Sequence, residues 1–223
     1  MVNMPRFISL EGIDGAGTTH HAKTLKSYLE SIVGEGEVIL THEPWEGSGN
    51  KPTQNFLAIK QHLENDLDPY THKENLFRYF LDNGISHNND LIRPALENGK
   101  YLITDRHRLS LHAYQKSQGI SPEKIFREQE RYKILMPDLT IWLDLPVPLA
   151  IERINLRGEP LEKFENKEFL EKVSSQYKII YQMSEGKMKD DFGTIIKIIK
   201  VSSSGTKEET QHQIRKAILN WAA

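Results

Sequence analysis

The chain has 223 residues, 38% hydrophobic and 27% charged, with a formal net charge of -2. That length buries one good core and suits a single domain, with or without a lid; the near-neutral charge excludes a broad basic field for nucleic acid. It has no cysteine, which excludes disulfides, thiolate metal sites and cysteine nucleophiles. No stretch approaches the ~18 apolar residues of a membrane span, and "MVNMPRFISLEG" is too short and too weakly apolar before Glu11 for a signal peptide. A cytoplasmic enzyme or binding domain is expected, with neither nucleic acid nor membrane as partner.

"RFISLEG" is a short apolar run ending in a glycine turn and reads as a buried strand. "TTHHAKTLKSYLESIV" follows, with Ala22, Leu25, Leu29 and Ile32 spaced for one helix face. "GEGEVILTHEP" supplies a second strand stopped by proline, and the polar connector "WEGSGNKPTQN" leads to helical segments around 54–64 and 71–82, then Ile92–Asn98. "KYLITDR" and "DLTIWLDLP" are the next strands. Between them "SPEKIFREQERYKIL" opens as a helix, with Ser121 as N-cap, Pro122 at the first helical position and Glu123 in the first turn. "VPLAIERINLR" and "NKEFLEKVSSQYKIIYQM" are helical and joined by the polar "GEPLEKFE"; "TIIKIIKVSS" is the last strand and "TKEETQHQIRKAILNWA" the last helix. This alternation predicts an α/β fold, a parallel sheet covered by helices on both faces, in one domain spanning 1–223.

Residues 11–20, "EGIDGAGTTH", nearly spell the phosphate-binding loop G-x-x-x-x-G-K-[ST]. Gly12 and Gly17 have the required spacing, and Thr19 stands where a metal-binding hydroxyl belongs. Thr18 occupies the lysine position. Strand, glycine turn and helix together curl backbone N–H groups of Gly12, Ile13, Asp14, Gly15, Ala16, Gly17, Thr18 and Thr19 around an anion at the positive end of a helix dipole. None of that requires a lysine, though an ordinary glycine-rich turn has the same pattern. A cation on the transferring phosphoryl group is worth on the order of 3–4 kcal/mol of barrier, so a substitute is expected elsewhere in the chain.

Several separate stretches together resemble the thymidylate kinase family of nucleoside monophosphate kinases, nearly end to end. They are "FISLEGIDGAG", "LTHEP", "HNNDLIRPALENGKYLITDR", "SLHAYQ" and "LPVPLAIERINLRGEPLEKFE", in the right order and at compatible spacings. The resemblance implies a five-stranded parallel sheet with a lid at about 157–168. It implies ATP and Mg²⁺ as co-substrate and cofactor, and a homodimer. Arg106 is implied to hold the acceptor's phosphate and Asp105 to help position the metal with Thr19. Asp14 is implied near the sugar hydroxyl, and Glu43 is among the implied acceptor-binding residues. Phe80 falls where the family stacks a ring on the base, and a core aromatic is the alternative reading. Tyr114 and Gln115 line the sugar and base. In the lid, Arg153 or Arg157 flanks the adenine, while Arg157 and Lys163 are expected to reach the phosphoryl group and supply the missing charge.

The departures from the family pattern are Thr18 for lysine, His42 for arginine, Gly84 for the arginine that reads the thymine edge, His107 for an aromatic and Lys163 for a lid arginine. The implied reaction is transfer of the γ-phosphate of ATP to dTMP. Two alternatives stand beside it: a nucleotide-binding paralogue that transfers phosphate poorly, and a kinase for another monophosphate.

Overall fold

The computed structural model describes residues 4–49, 52–183, 187–189 and 195–221. The apolar runs form β1 (Phe7–Glu11), β2 (Val38–His42), β3 (Tyr101–Asp105) and β4 (Leu139–Asp144). A three-residue strand, β5 (Lys187–Lys189), precedes the last long one, β6 (Ile195–Ser202). The sheet order is β2-β3-β1-β4-β6-β5. The first five in that order are mutually parallel, as expected, and β5 adds an antiparallel edge to β6. That edge strand is an addition to the five-stranded expectation; "KMK" is too short and polar to stand out as a strand.

The chain runs outward from β1 to β2, returns to β3, and then crosses to β4 on the other side of β1. The reversal therefore falls at β1, and ligands in open α/β sheets bind outside the carboxyl ends of the strands at such a point. Every residue of β1 is buried, because helices cover both faces. On one face α1 (Thr18–Val33) packs beside the C-terminal α9 (Lys207–Leu219), and Leu25 and Leu29 meet Ile8, Leu10 and Ile103.

The other face is more layered. Helices α2 (Gln54–Asn65) and α3 (Lys73–His87) follow the long connector, and α3 continues through a π-helical turn, Asn88–Ile92, into the short α4 (Arg93–Glu97). Ile92 and Ala95 there cover Phe7 and Leu102. The expected helices at 71–82 and 92–98 are thus parts of one longer path. Helix α5 (Arg108–Ser117), absent from the reading by periodicity, follows β3 directly. It packs on α8 (Lys167–Met183), while α6 (Pro122–Arg131) and α7 (Val147–Arg157) complete the set. Ser121 caps α6 by accepting from the Lys124 N–H, as its sequence position suggested.

Ile141, fully buried in β4, touches both neighbours of that strand through the sheet. Ile141→Ala is expected to cost about 2–5 kcal/mol, read from the urea midpoint at an unchanged m-value; a loss well under about 1 kcal/mol would contradict this packing.

Candidate active site

The loop after β1 is tight because its neighbours leave no room. A Cβ on Gly12 would lie 2.9 Å from the Leu143 carbonyl oxygen, and one on Gly15 2.8 Å from that of Ala150. Gly15 and Gly17 hold φ of 81° and 90°, the left-handed region that glycine enters at no steric cost. Ala16 N–H closes a turn on Ile13 O at 3.0 Å. The N–H groups of Gly15, Gly17, Thr18 and Thr19 have no acceptor among the described residues. They form an anion cradle at the start of α1. Thr18 itself is packed into the loop and buried.

Arg106 directly follows β3 with φ of 68°, a strained position for a residue with a side chain. Its Nη1 donates to Gly12 O at 2.6 Å and its Nη2 to Asp14 Oδ1 at 2.6 Å. Tyr114 OH donates to Asp14 Oδ2 at 3.0 Å and accepts the Asp14 N–H at 3.1 Å. Six of the expected residues, Asp14, Glu43, Phe80, Arg106, Tyr114 and Gln115, line one cavity of about 150 Å³. Phe80 is half-buried on its wall. Gln115 Oε1 is buried there without a hydrogen-bond partner among the described residues.

On the other side of Arg106 lies a cavity of about 520 Å³ that contains Thr19, Asp105, Glu43 and Arg106. Thr19 Oγ1 donates to Asp105 Oδ2. Asp105 Oδ1 is buried with no hydrogen-bond partner among the described residues. A hydroxyl beside an orphaned carboxylate oxygen is a hard-oxygen donor set, which fits Mg²⁺. A third cavity, about 310 Å³, is bounded by Gly15, Ala16, Gly17, Arg153 and the start of α9. Arg153 there donates to Gly15 O at 3.2 Å and Ser203 O at 2.7 Å.

The segment between α7 and α8 corrects one expectation. Lys163 is fully buried, and its ammonium donates to Asp66 Oδ2 at 2.7 Å, Thr71 Oγ1 at 2.9 Å and the Asp68 carbonyl. All three partners lie between α2 and α3, so this charge ties the segment to that loop and lines none of the three cavities. Arg157 forks onto both oxygens of Glu165 at 2.8 and 2.9 Å and onto Glu159 at 2.9 Å. The same segment brings Glu162, Phe164 and Glu165 to the rim of the Phe80 cavity.

Two carboxylates escaped or outran the sequence reading. Glu11 looked like the end of a strand; it is buried and accepts from Ser110 N–H and Oγ–H, while Ser110 also meets Tyr177. Burial pushes its pKa up to about 7, against the opposing Ser110 hydrogen bond and nearby His107 and Arg106. Glu43 goes the other way, down to about 2, because His107 and His87 together outweigh its burial. Ligand atoms of Glu43, His87 and His107 lie within 4.8 Å of one another, a span a metal ion could use. The point on which both histidine Nδ1 atoms converge is filled by Glu43 Oε1, at 3.1 and 2.7 Å, and the group is an ion-pair network.

A glycine loop at the head of a parallel sheet, a threonine–aspartate pair beside it and an arginine wall between two cavities define a phosphate-binding-loop nucleotide kinase fold and site. Comparison narrows the class. The family described as "Thymidylate kinase" matches residues 10–191. The chain is 32% identical over 214 residues to a thymidylate kinase of Akkermansia muciniphila, covering 96% of this chain and 91% of that one. It is 39% identical over 179 residues to a thymidylate kinase of Desulfotalea psychrophila, covering 78% and 82%. A crystal structure of thymidylate kinase from Ehrlichia chaffeensis shares the fold with a TM-score of 0.70 over 96% of this chain and 98% of that one, at 22% identity. The chain belongs to the thymidylate kinase family.

Glu11 makes stability pH-dependent. An acid whose folded pKa is raised gives stability that is full below its unfolded value of 4.5 and is lost as pH climbs to about 7. Glu11→Gln is expected to flatten the stretch between those values in denaturation midpoints measured against pH. An unchanged slope would show that Glu11 is ionised in the fold throughout.

Proposed function

We propose that the chain transfers the γ-phosphoryl group of ATP to the phosphate of dTMP, giving dTDP and ADP, with Mg²⁺ bound at Thr19 and Asp105. The carrying observation is that Arg106 lines both the Phe80 cavity and the Thr19–Asp105 cavity. An acceptor phosphate on one side and a donor phosphate on the other would meet at a single guanidinium, whose planar fork matches phosphate oxygens. The proposal extends the family likeness to a homodimer working in the cytoplasm.

Catalysis in this reading is positioning and charge neutralisation, without a covalent enzyme intermediate. The free N–H groups of Gly15, Gly17, Thr18 and Thr19 bind the donor's phosphates. Arg153 and the start of α9 border the donor's nucleoside. Tyr114 fixes Asp14, which takes the acceptor's sugar hydroxyl, and Phe80 stacks on its base. Thr19 and Asp105 would hold the Mg²⁺, which when bound neutralises charge on the donor's phosphate oxygens. Glu162, Phe164 and Glu165 close the cavity and exclude water. Arg157, exposed in its fork with Glu165 and Glu159, is the lid cation that release of those pairs would bring to the phosphates.

Two observations favour the slower alternative, a nucleotide-binding relative with weak transfer: Thr18 brings no charge, and Lys163 is committed to Asp66. A coupled ADP-release assay over a panel of monophosphates decides between them. Turnover with dTMP and Mg²⁺ is expected; silence for every acceptor, with ATP still bound, sinks the kinase reading. Thr18→Lys is expected to raise kcat by about 10²-fold if the absent charge limits the rate. No gain would mean that the chain already supplies the cation, and Arg157→Ala should then cost a comparable factor.

A further inference from the structure

The chain between α7 and α8 changes character at one residue. Positions 155 to 162 are all exposed, whereas Lys163, Phe164 and Glu165 are all buried. Lys163 is tied down twice. Its N–H donates to Leu63 O at 2.9 Å, near the end of α2, and its ammonium enters a cup formed by the loop between α2 and α3. Asp66 Oδ2, the Asp68 carbonyl and Thr71 Oγ1 accept from it there. The loop has its own bracing. Asp66 Oδ1 takes the Asp68 N–H at 3.1 Å, Asp68 Oδ1 takes the Tyr70 N–H at 2.9 Å, and Gln118, just after α5, donates to Pro69 O.

This joint lies on a seam of the Phe80 cavity. Leu63 lines the cavity from α2, and Glu162, Phe164 and Glu165 line it from the segment before α8. Lys163 joins these two walls without lining the cavity itself. Phe164 carries the joint inward: its ring stacks on that of Phe169 at 5.0 Å and lies 5.5 Å from that of Tyr114, the residue that holds Asp14. Glu165 carries it outward, since its carboxylate takes both the Arg157 fork and the Glu162 N–H. Every contact that holds this roof down is made by the chain itself.

We propose that Lys163 is a positioning residue for acceptor binding: it latches residues 163–165 to the loop between α2 and α3, so that the acceptor's cavity is roofed before the donor arrives. This rests on the Phe80 cavity being the acceptor site. The segment then has two parts with separate duties. Residues 163–165 are a fixed roof, and the exposed 155–162, which include Arg157, are the part left to move. A site whose competent form is only fractionally populated binds with its affinity reduced by that fraction. The latch keeps that fraction near one, and acceptor affinity becomes independent of the donor. Without the latch the bound nucleotides must order the roof, and a ligand that orders what another needs is coupled to it.

The test reads the latch and its effect separately. Lys163→Met fills a similar volume, and the Asp66 side chain, 28% exposed, can turn its carboxylate to water. A glutamate-specific protease, acting on the protein without nucleotide, probes the Glu162–Lys163 bond, whose N–H is pinned to Leu63 O. Cleavage there, followed by mass, is expected to be about tenfold faster or more in Lys163→Met, as local opening becomes more populated. Calorimetric titration of dTMP, with and without saturating β,γ-imido-ATP and Mg²⁺, then reads the coupling. In the wild type the analogue should change dTMP affinity by less than about twofold. In Lys163→Met dTMP should bind about tenfold more weakly, as for a roof formed about a tenth of the time, and the analogue should restore most of that loss. Thr71→Val removes one acceptor from the ammonium and leaves both charges. It should show the same pattern at a smaller size, and it decides the matter where Lys163→Met does not fold.

Equal cleavage in wild type and variants overturns the latch. A lysine that only stabilises the fold would weaken dTMP equally with and without the analogue, or leave it unchanged, and either result overturns the positioning role. If cleavage depends on Lys163 but the wild type binds no dTMP, the acceptor reading of the cavity fails and takes that role with it. Binding coupled as described but without turnover upholds the proposal and counts only against the kinase reaction.

Discussion

A half-buried guanidinium is held in place by the partners it finds on its shielded side, since charge withdrawn from water without a partner is costly. Arg106 finds them by spanning from the end of β3 to the loop after β1. Its backbone N–H reaches Leu10 O at 2.8 Å, and its side chain holds Gly12 O and the Asp14 carboxylate. The left-handed φ at Arg106 is the local cost of turning the chain there. Much of the site follows from this one contact. Asp14, once fixed, fixes Tyr114 and with it α5; Asp105, one residue earlier, is left facing Thr19. Two cavities that open on different sides of the sheet end consequently share a wall.

The same neighbourhood separates two carboxylates by environment. Glu11 and Glu43 are both shielded, and both feel His107. Glu11 has neutral hydroxyl and amide donors close at hand and keeps its proton toward neutrality. Glu43 has an imidazolium at hydrogen-bond distance and remains ionised far into acid. Direct hydrogen-bonded charge therefore outweighs desolvation at Glu43 and fails to do so at Glu11, where the opposite charges are farther off.

What was legible in the sequence follows from what periodicity and spacing encode. The parallel strands and the glycine loop were readable because burial on both faces writes an apolar run, and a tight anion turn writes glycines. Asp14, Phe80, Tyr114 and Gln115 were readable only through whole-chain resemblance, since nothing local marks a Phe or a Gln as lining a cavity. Lys163 shows the limit of that approach. A lysine in a polar lid looks like a mobile cation, but its partner Asp66 is 97 residues away, and no local pattern announces such a pairing. β5 and α5 were missed for a related reason: a three-residue polar strand and a short helix beginning at the active-site turn carry too few periodic positions to signal themselves.

Thr18 takes on a different meaning in this geometry. A lysine at that position would place a charge in front of the loop, on the phosphates. Here the loop is braced from behind: Arg106 holds Gly12 O and Arg153 holds Gly15 O. A carbonyl drawn outward onto a cation leaves the amides of the loop free to turn inward, and polarises the peptide to which it belongs. Arg153 thereby braces the amide cradle from behind, and Arg106 does so at Gly12 while its side chain also lines both cavities. Holding the donor's phosphates and stabilising the phosphoryl group in flight become separable tasks. The first needs only what is already fixed in the fold; the second needs a further charge, and here both expected lid cations are held in ion pairs, Lys163 with Asp66 and Arg157 with Glu165 and Glu159.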